Sequence, residues 1–135
     1  MNSNKYVGNR YERAIGGILA DNGFWVHNFQ QNASGQPADL IAVNQLGSHL
    51  IDCKHCVGHR FVLDRVEENQ KLSMDHWQNT IRRPTAWFCI GFIDDTYMVP
   101  WNLVKEKIDG GSKSLGETWI STHCKNLLWW MESWK

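Results

Sequence analysis

The sequence predicts an α/β protein in which helices flank a central mixed β-sheet. Segments with the apolar spacing of an amphipathic helix alternate along the chain with short runs rich in β-branched and aromatic residues. Glycine and proline separate these segments at positions where helices and strands are expected to end. Because 42% of the 135 residues are hydrophobic, the chain can bury a core between the sheet and its helices.

The N-terminal part of the chain is predicted to form a helix followed by a strand. The helix covers about residues 6–22, where Ile15 and Leu19 lie on one apolar face. Gly23 follows as a typical stop signal, since glycine readily adopts the left-handed conformation that ends many helices. Residues 24–29 then form an apolar run of strand length.

A β-hairpin is predicted next, with strands at 38–43 and 48–54. Residues 44–47 form the loop between them, and its asparagine and glycine are typical of hairpin turns. In the register that this loop sets, Asp39 lies directly opposite Asp52. Side chains alternate along a strand, so both carboxylates point to the same face of the sheet.

A second helix is predicted at about 64–79. Asp64 and Glu67 are three residues apart at its start, which is the spacing of a capping box. Pro84 marks the next boundary. Two strands and a short helix are predicted after it, at 85–92, 97–99 and 100–108.

The length of the chain favours one domain covering 1–135, with a core at about 5–100. Residues 101–135 form a C-terminal extension that contains five of the eight tryptophans. This extension is predicted to be partly helical, and its aromatic residues are of the kind enriched at interface cores.

The carboxylates of Asp39 and Asp52 form the most informative pair in the sequence. Cross-strand neighbours have Cβ atoms roughly 4.5–5.5 Å apart, and like charges at that distance are destabilising. A bound Mg²⁺ or Mn²⁺ would offset the repulsion, since these ions prefer oxygen ligands. The backbone carbonyl of Cys53 is a further candidate ligand, and Lys54 lies on the carboxylate face, where it can orient a nucleophilic water.

Two residues on the predicted helices are candidates to join this pair. Glu12 lies at the edge of the first helix's apolar stripe, where it can reach over the sheet as a metal ligand or pair with Arg13. Gln70 lies in the core-facing stripe of the second helix. A buried amide needs hydrogen-bond partners, which can be a site at the sheet or local backbone. A surface ion pair between Asp52 and Lys54 is the alternative interpretation.

In chain order, the set comprises a helix with Glu12, then Pro37-Ala38-Asp39, then Asp52-Cys53-Lys54, then a helix with Gln70. This order resembles the PD-(D/E)xK nuclease superfamily, and within it the archaeal-type Holliday junction resolvases and related phage and bacterial resolvases. Runs similar to that family flank the set at 10–13, 19–24, 33–35 and 51–54, so the resemblance covers about 5–80. The chain departs from the family where Ala38 separates the proline from the aspartate and where aspartate replaces the more common glutamate at 52.

The resemblance implies a restriction-endonuclease-like core with αβββαβ order and metal-dependent hydrolysis of phosphodiester bonds. Mg²⁺ or Mn²⁺ is the implied cofactor, and branched DNA such as a four-way junction is the implied substrate in recombination and repair. Resolvases of this kind act as two-fold symmetric homodimers. The implied catalytic residues are Glu12, Asp39, Asp52, Lys54 and Gln70.

DNA contacts are expected on either side of the catalytic strand. Arg10 and Arg13 lie on the first helix, and His55 and Arg60 follow the hairpin. The resemblance adds Ser34, in the Ser-Gly loop before the first aspartate. The formal net charge of zero argues against a strongly basic nucleic-acid clamp but allows a local basic surface.

Several alternatives remain open at the level of sequence. The chain fits another PD-(D/E)xK nuclease of nicking, repair or restriction type, or a non-catalytic DNA-binding module that keeps the fold. Cys53, Cys56 and His59 have zinc-like spacing, but no second pair follows at finger spacing. No apolar run is long enough to span a bilayer and no signal-type core opens the chain, so a cytoplasmic protein of bacterial, archaeal or phage origin is expected.

Overall fold

The computed structural model of the protein describes residues 3–30 and 36–135. Ser34, a predicted DNA contact, lies outside the described residues. The elements in chain order are α1 (Ser3–Asp21), β1 (Trp25–Asn28), β2 (Leu40–Asn44), β3 (Gly47–His55), β4 (Arg60–Val62), α2 (Glu68–Ile81), β5 (Ala86–Gly91), β6 (Thr96–Pro100), α3 (Trp101–Asp109), β7 (Ser114–Gly116), α4 (Glu117–His123), β8 (Lys125–Asn126) and α5 (Leu127–Ser133).

The main sheet has six strands in the order β1-β2-β3-β5-β6-β8. All neighbouring pairs are antiparallel except β3 and β5, which run parallel because α2 carries the chain back between them. The predicted α/β fold with a mixed central sheet is therefore confirmed. The strands β4 and β7 form a separate two-stranded sheet, which the sequence did not predict because each has only three residues.

Each face of the main sheet is covered by its own helices. One core contains Met74 of α2, Val104 of α3 and Ile120 of α4, packed with Phe88 of the sheet. The other contains apolar residues of α1 and α5, and Ile51 of β3 faces it. Residues 101–135 are thus integrated into both cores, and β8 adds a strand to the sheet edge beyond β6.

The hairpin between β2 and β3 is tighter than predicted. Val43 pairs with Ser48 as expected, but Asn44 also pairs with Gly47, so the loop is only Gln45–Leu46 rather than residues 44–47. The side-chain oxygen of Asn44 accepts hydrogen bonds from the amides of Leu46 (3.0 Å) and Gly47 (3.3 Å). This Asx-type turn stabilises the short connection and holds the register of both strands.

The predicted start of the second helix was wrong. Residues 63–65 form a short 3₁₀ turn and α2 begins only at Glu68. The capping box is made by Glu67 and Gln70, whose side chains each bond the other residue's backbone amide, rather than by Asp64 and Glu67. The sequence offered overlapping pairs at the capping-box spacing, and only tertiary packing selects between them.

A buried histidine lies on the α1 and α5 face of the sheet. His49 is fully buried, and its Nδ1 accepts a hydrogen bond from Trp87 Nε1 at 3.0 Å. Its ring contacts those of Trp130 and Trp134 edge to face, with centroids 4.8 and 4.3 Å away. This cage excludes water, and burial lowers the pKa of His49 from 6.5 to about 4.

This shift predicts that the protein loses stability in mild acid. Between pH 6.5 and about 4 the unfolded chain binds a proton at His49 that the folded chain excludes, so the free energy of unfolding falls as pH falls. The contribution is about 3 kcal/mol across that window. Urea denaturation at several pH values should show a steeper loss for wild type than for His49→Asn, which keeps an acceptor for Trp87 but does not titrate. Equal slopes would contradict the prediction.

None of the helices in the described part of the chain is both long and apolar enough to span a membrane.

Candidate active site

The register of the hairpin brings the two predicted carboxylates together. Leu40 pairs with Ile51, so the next positions outward are Asp39 and Asp52, and the Asp39 amide donates to the Ile51 carbonyl at 3.1 Å. Both side chains are buried, with 7% of Asp39 and 1% of Asp52 exposed. Asp39 and Asp52 form what we call the acid row, which crosses the sheet at the end of β2.

Each carboxylate is held by a specific donor. The Cys53 amide donates to Asp39 Oδ2 at 2.7 Å, and Gln70 Nε2 donates to Asp52 Oδ1 at 3.1 Å. Lys54 Nζ lies 3.1 Å from Asp52 Oδ2 in an ion pair. That buried oxygen accepts no well-aligned hydrogen bond from the described residues, so its hydrogen-bonding capacity is unsatisfied apart from the Lys54 ion pair.

The electrostatics of the acid row favour protonation in the absence of a cation. Burial, followed by the neighbouring Asp39 carboxylate, raises the pKa of Asp52 well above its ordinary value, and Lys54 only partly opposes this. A buried like-charge pair with one ammonium partner carries an excess of negative charge. The site therefore has the charge of a cation-binding site.

Glu12 joins the acid row from α1. Its side chain is half-buried, and its pKa is raised to about 7 by burial first and then by the charge of Asp39 and a hydrogen bond with it. The charges of Arg13 and Lys54 oppose the shift. The structure thus brings Glu12 to Asp39 rather than leaving it paired only with its helix neighbour.

Gln70 connects the start of α2 to the acid row. Its Oε1 accepts the Glu67 amide at 3.1 Å in the capping box, while its Nε2 donates to Asp52. The side-chain oxygen of Gln70 therefore has a donor as its partner and the side-chain nitrogen has an acceptor, and this determines the orientation of the amide. Gln70 therefore bonds both local backbone and the acid row, and its role at a metal-bound water or a phosphate stays a prediction.

Removal of this amide should destabilise the fold. In Gln70→Met, the buried Asp52 loses its donor and α2 loses one capping contact, so the free energy of unfolding should fall by about 2–3 kcal/mol. Gln78→Met is the matched control, because Gln78 is on the same helix and also holds two partners, donating to Asn102 and accepting from the Ala86 amide, neither of which is a buried carboxylate. Chemical denaturation should show a smaller loss for the control, and equal losses would contradict the special role of Gln70.

The predicted DNA contacts are distributed around the acid row. Arg10 and Arg13 are exposed on α1, and Arg13 is close enough to act on the pKa of Glu12. His55 is half-buried, with its ring 5.4 Å from that of Tyr11. Arg60 is exposed on β4 and donates to Ser114 Oγ at 3.1 Å, so its guanidinium is already engaged with β7.

Sequence reasoning missed a set of aromatic residues next to the acid row. Trp25 and His27 alternate along β1, and Phe29 continues this alternation just after the strand, where its amide donates to the Asp39 carbonyl at 2.9 Å. The period-two spacing of these aromatic residues was the available signal. This signal was not decisive, because the sequence of a short strand beside a polar loop does not show which face of the strand is covered by other elements.

The oxygen donors of the acid row fit a hard divalent cation such as Mg²⁺ or Mn²⁺ better than a metal that prefers sulfur or nitrogen ligands. Mg²⁺ is typically bound by one or two carboxylates together with substrate phosphates and water. Asp39 and Asp52 supply two carboxylates, and Asp52 retains an oxygen without a well-aligned hydrogen bond among the described residues. Within that same part of the chain, no cluster of three or more His, Cys, Asp or Glu residues is arranged as a complete metal cage.

The fold that carries the acid row is similar to that of a solved protein structure. The chain superimposes on Hjc, a Holliday junction resolvase from the archaeal hyperthermophile Archaeoglobus fulgidus, with a TM-score of 0.68. The match covers 93% of this chain and 95% of that chain at 15% sequence identity. The chain therefore has the fold of an archaeal Holliday junction resolvase, as its sequence resemblance predicted. No family model and no curated protein matches the sequence.

Proposed function

We propose that the protein is a Mg²⁺- or Mn²⁺-dependent endonuclease that hydrolyses phosphodiester bonds in branched DNA, in the manner of a junction resolvase. The observation that carries this proposal is the buried acid row with Lys54 and Gln70 attached, in a fold shared with a resolvase. Isolated buried carboxylates destabilise a protein unless they are neutralised. A function for the site explains why this chain retains them.

In this proposal Asp39, Asp52 and the Cys53 carbonyl would hold the cation, with Glu12 as an added ligand or water anchor. The bound cation would polarise the scissile phosphate and lower the pKa of a water molecule. Cation binding requires the ionised carboxylates, so it would release protons from Glu12 and Asp52, whose pKa values are raised in its absence.

The remaining residues act on the nucleophile and on the geometry. Lys54 is 13% exposed, and its ammonium lies beside Asp52, where it can orient a water and stabilise negative charge on the phosphate. Gln70 keeps Asp52 in one orientation through the capping box of α2. Arg10, Arg13, His55 and Arg60 would contact the phosphates of the DNA arms, and Ser34 would contact the substrate.

We further propose that residues 1–135 form one nuclease domain that acts as a homodimer. The C-terminal residues contribute β8 to the sheet and apolar side chains to both cores, which supports a single folding unit. A four-way junction has two-fold related strands, and two copies of the site would be needed to cut them symmetrically.

The deciding experiment is a cleavage assay on end-labelled DNA with and without Mg²⁺. Symmetric nicks in a four-way junction, absent with EDTA, are expected. Equal cutting of linear duplex would instead favour a nuclease of nicking, repair or restriction type. Binding without cleavage, and no Mn²⁺ binding in calorimetry, would identify a non-catalytic DNA-binding module.

A further inference from the structure

We propose that a groove beside the acid row binds unpaired DNA bases, so that the enzyme selects substrates with single-stranded or splayed segments. This inference rests on the proposed nuclease function and extends it to the structure of the substrate. The groove lies between α2 and the sheet residues Phe29, Ile41 and Leu50, and has a volume of about 500 Å³, within the usual range of ligand pockets.

One wall of the groove borders an aromatic ladder, formed by Trp25, His27 and Phe29. The rings of Trp25 and His27 are nearly parallel, with centroids 6.2 Å apart and planes 11° apart. The rings of His27 and Phe29 meet edge to face at 5.5 Å. Trp25 is 65% exposed in the described part of the chain, so a large part of its ring is available for stacking.

The ladder is continuous with the acid row. The pairing of β1 with β2 and of β2 with β3 places His27, Ile41 and Leu50 in one row across the sheet. The adjacent row contains Phe29, whose amide is bonded to the Asp39 carbonyl. A single DNA strand bound along the ladder would therefore reach the acid row on the same face of the sheet.

The opposite wall is α2, which runs from the acid row to a basic end. Gln70 contacts Asp52, and the helix ends at Ile81 before Arg82 and Arg83, which are both exposed. The distance along the helix from Gln70 to Ile81 is about 16 Å, or roughly four to five stacked nucleotides. The arginines can hold a phosphate at one end while the acid row acts at the other.

No carboxylate among the described lining residues would repel a phosphate backbone, which favours a nucleic acid as the occupant of the groove. The described residues that line it include His76 and no carboxylate, and Leu72 on its rim is 64% exposed. Bases in a duplex stack on one another, so only unpaired bases can present their faces to Trp25. Base stacking on aromatic side chains of this kind is sequence-tolerant.

The test compares DNA binding by Trp25→Ala with that by Trp129→Ala in EDTA, where cleavage is blocked. Trp129 is 72% exposed on α5, whose apolar residues pack on the opposite face of the sheet, so it is a matched control. Fluorescence anisotropy would use a duplex with a single-stranded oligothymidine tail and a blunt duplex. Trp25→Ala should weaken tailed-DNA binding about tenfold or more and blunt-duplex binding less than twofold. Trp25→Phe should retain most of the affinity.

Two results would overturn the inference. If Trp25→Ala binds tailed DNA as tightly as Trp129→Ala does, the ladder does not stack bases. If Trp25→Ala and Leu72→Glu convert a dimer to a monomer in light scattering and weaken binding of both DNAs equally, this face is an interface between copies of the chain.

The proposed function is tested separately on the same tailed duplex with Mg²⁺. If cleavage depends on Asp52 but Trp25→Ala changes neither binding nor cleavage, the proposed role of the groove is refuted and the nuclease proposal stands. If Trp25→Ala weakens binding but no cleavage occurs, the nuclease proposal is refuted and the groove remains supported.

Discussion

Asp52→Asn is expected to reduce Mg²⁺-dependent cleavage of branched DNA about a thousandfold, because the acid row loses a negative charge at its most buried position. Asparagine has nearly the same shape, and its side-chain oxygen can still accept the hydrogen bond from Gln70. The variant should therefore fold and bind DNA. Gel-based cleavage rates, together with circular dichroism and anisotropy, measure the three properties independently.

Asp75→Asn provides the matched control for the loss of a carboxylate. Asp75 pairs with Lys105 at 3.1 Å and accepts a hydrogen bond from Trp101 Nε1, so it also has a lysine partner and a specific donor. It lies between α2 and α3 rather than in the acid row. Cleavage by this control should remain near the wild-type rate. Cleavage by Asp52→Asn within threefold of wild type would refute the assignment of the acid row.

Gly91→Ala is expected to destabilise the fold by about 3 kcal/mol, since a methyl group at this position collides with Tyr11. A Cβ on Gly91 would lie 2.6 Å from Tyr11 Cζ and 2.9 Å from Cε2, and the hydroxyl is also in its path. The ring cannot move aside easily, because its hydroxyl is 3.2 Å from Thr96 Oγ1 and the ring packs beside His55. Thermal or urea denaturation measures the loss.

The consequence of Gly91→Ala should extend to the acid row, because Tyr11 precedes Glu12 on α1. A displaced α1 moves Glu12 away from Asp39, so the pKa of Glu12 should fall back toward its ordinary value. Gly116→Ala is the control: it has φ −76° and no heavy atom within 4 Å of the added Cβ. A control as unstable as Gly91→Ala would show that the effect is not steric.

The grouping of the acid-row residues with Lys54 was predictable, because it depends only on spacing within one strand and on the register of one hairpin. The spacing of Asp52 and Lys54 determines that they share a face of one strand, whatever surrounds it. The position of Asp39 required only the hairpin register, and the Val43–Ser48 pairing was correct although the assumed loop was too long. Adding Asn44–Gly47 as a further pair leaves every other pairing unchanged.

The sequence did not predict which helices and aromatic residues cover each face of the main sheet. The α2 start was misplaced because Glu67 belongs to overlapping capping patterns, and packing against the sheet selects the one with Gln70. The tryptophans of the C-terminal third gave no periodic signal, and their roles differ in the fold. Trp130 is buried against His49, whereas Trp129 is exposed on the same helix.

The sequence by itself determined the order of the main elements, the face shared by Asp39, Asp52 and Lys54, and the resemblance to a nuclease fold. These features depend on how far apart residues lie in the sequence, and because side chains alternate along a strand, that separation determines which face of the sheet each side chain points to. Only the tertiary structure decided that Glu12 reaches Asp39, that Gln70 bonds both Asp52 and its own helix cap, and that the aromatic ladder of β1 stays exposed. The contacts of Glu12 and Gln70 with the acid row join distant segments, and the exposure of the ladder depends on what packs over it, so both follow from how helices pack on the sheet rather than from local sequence.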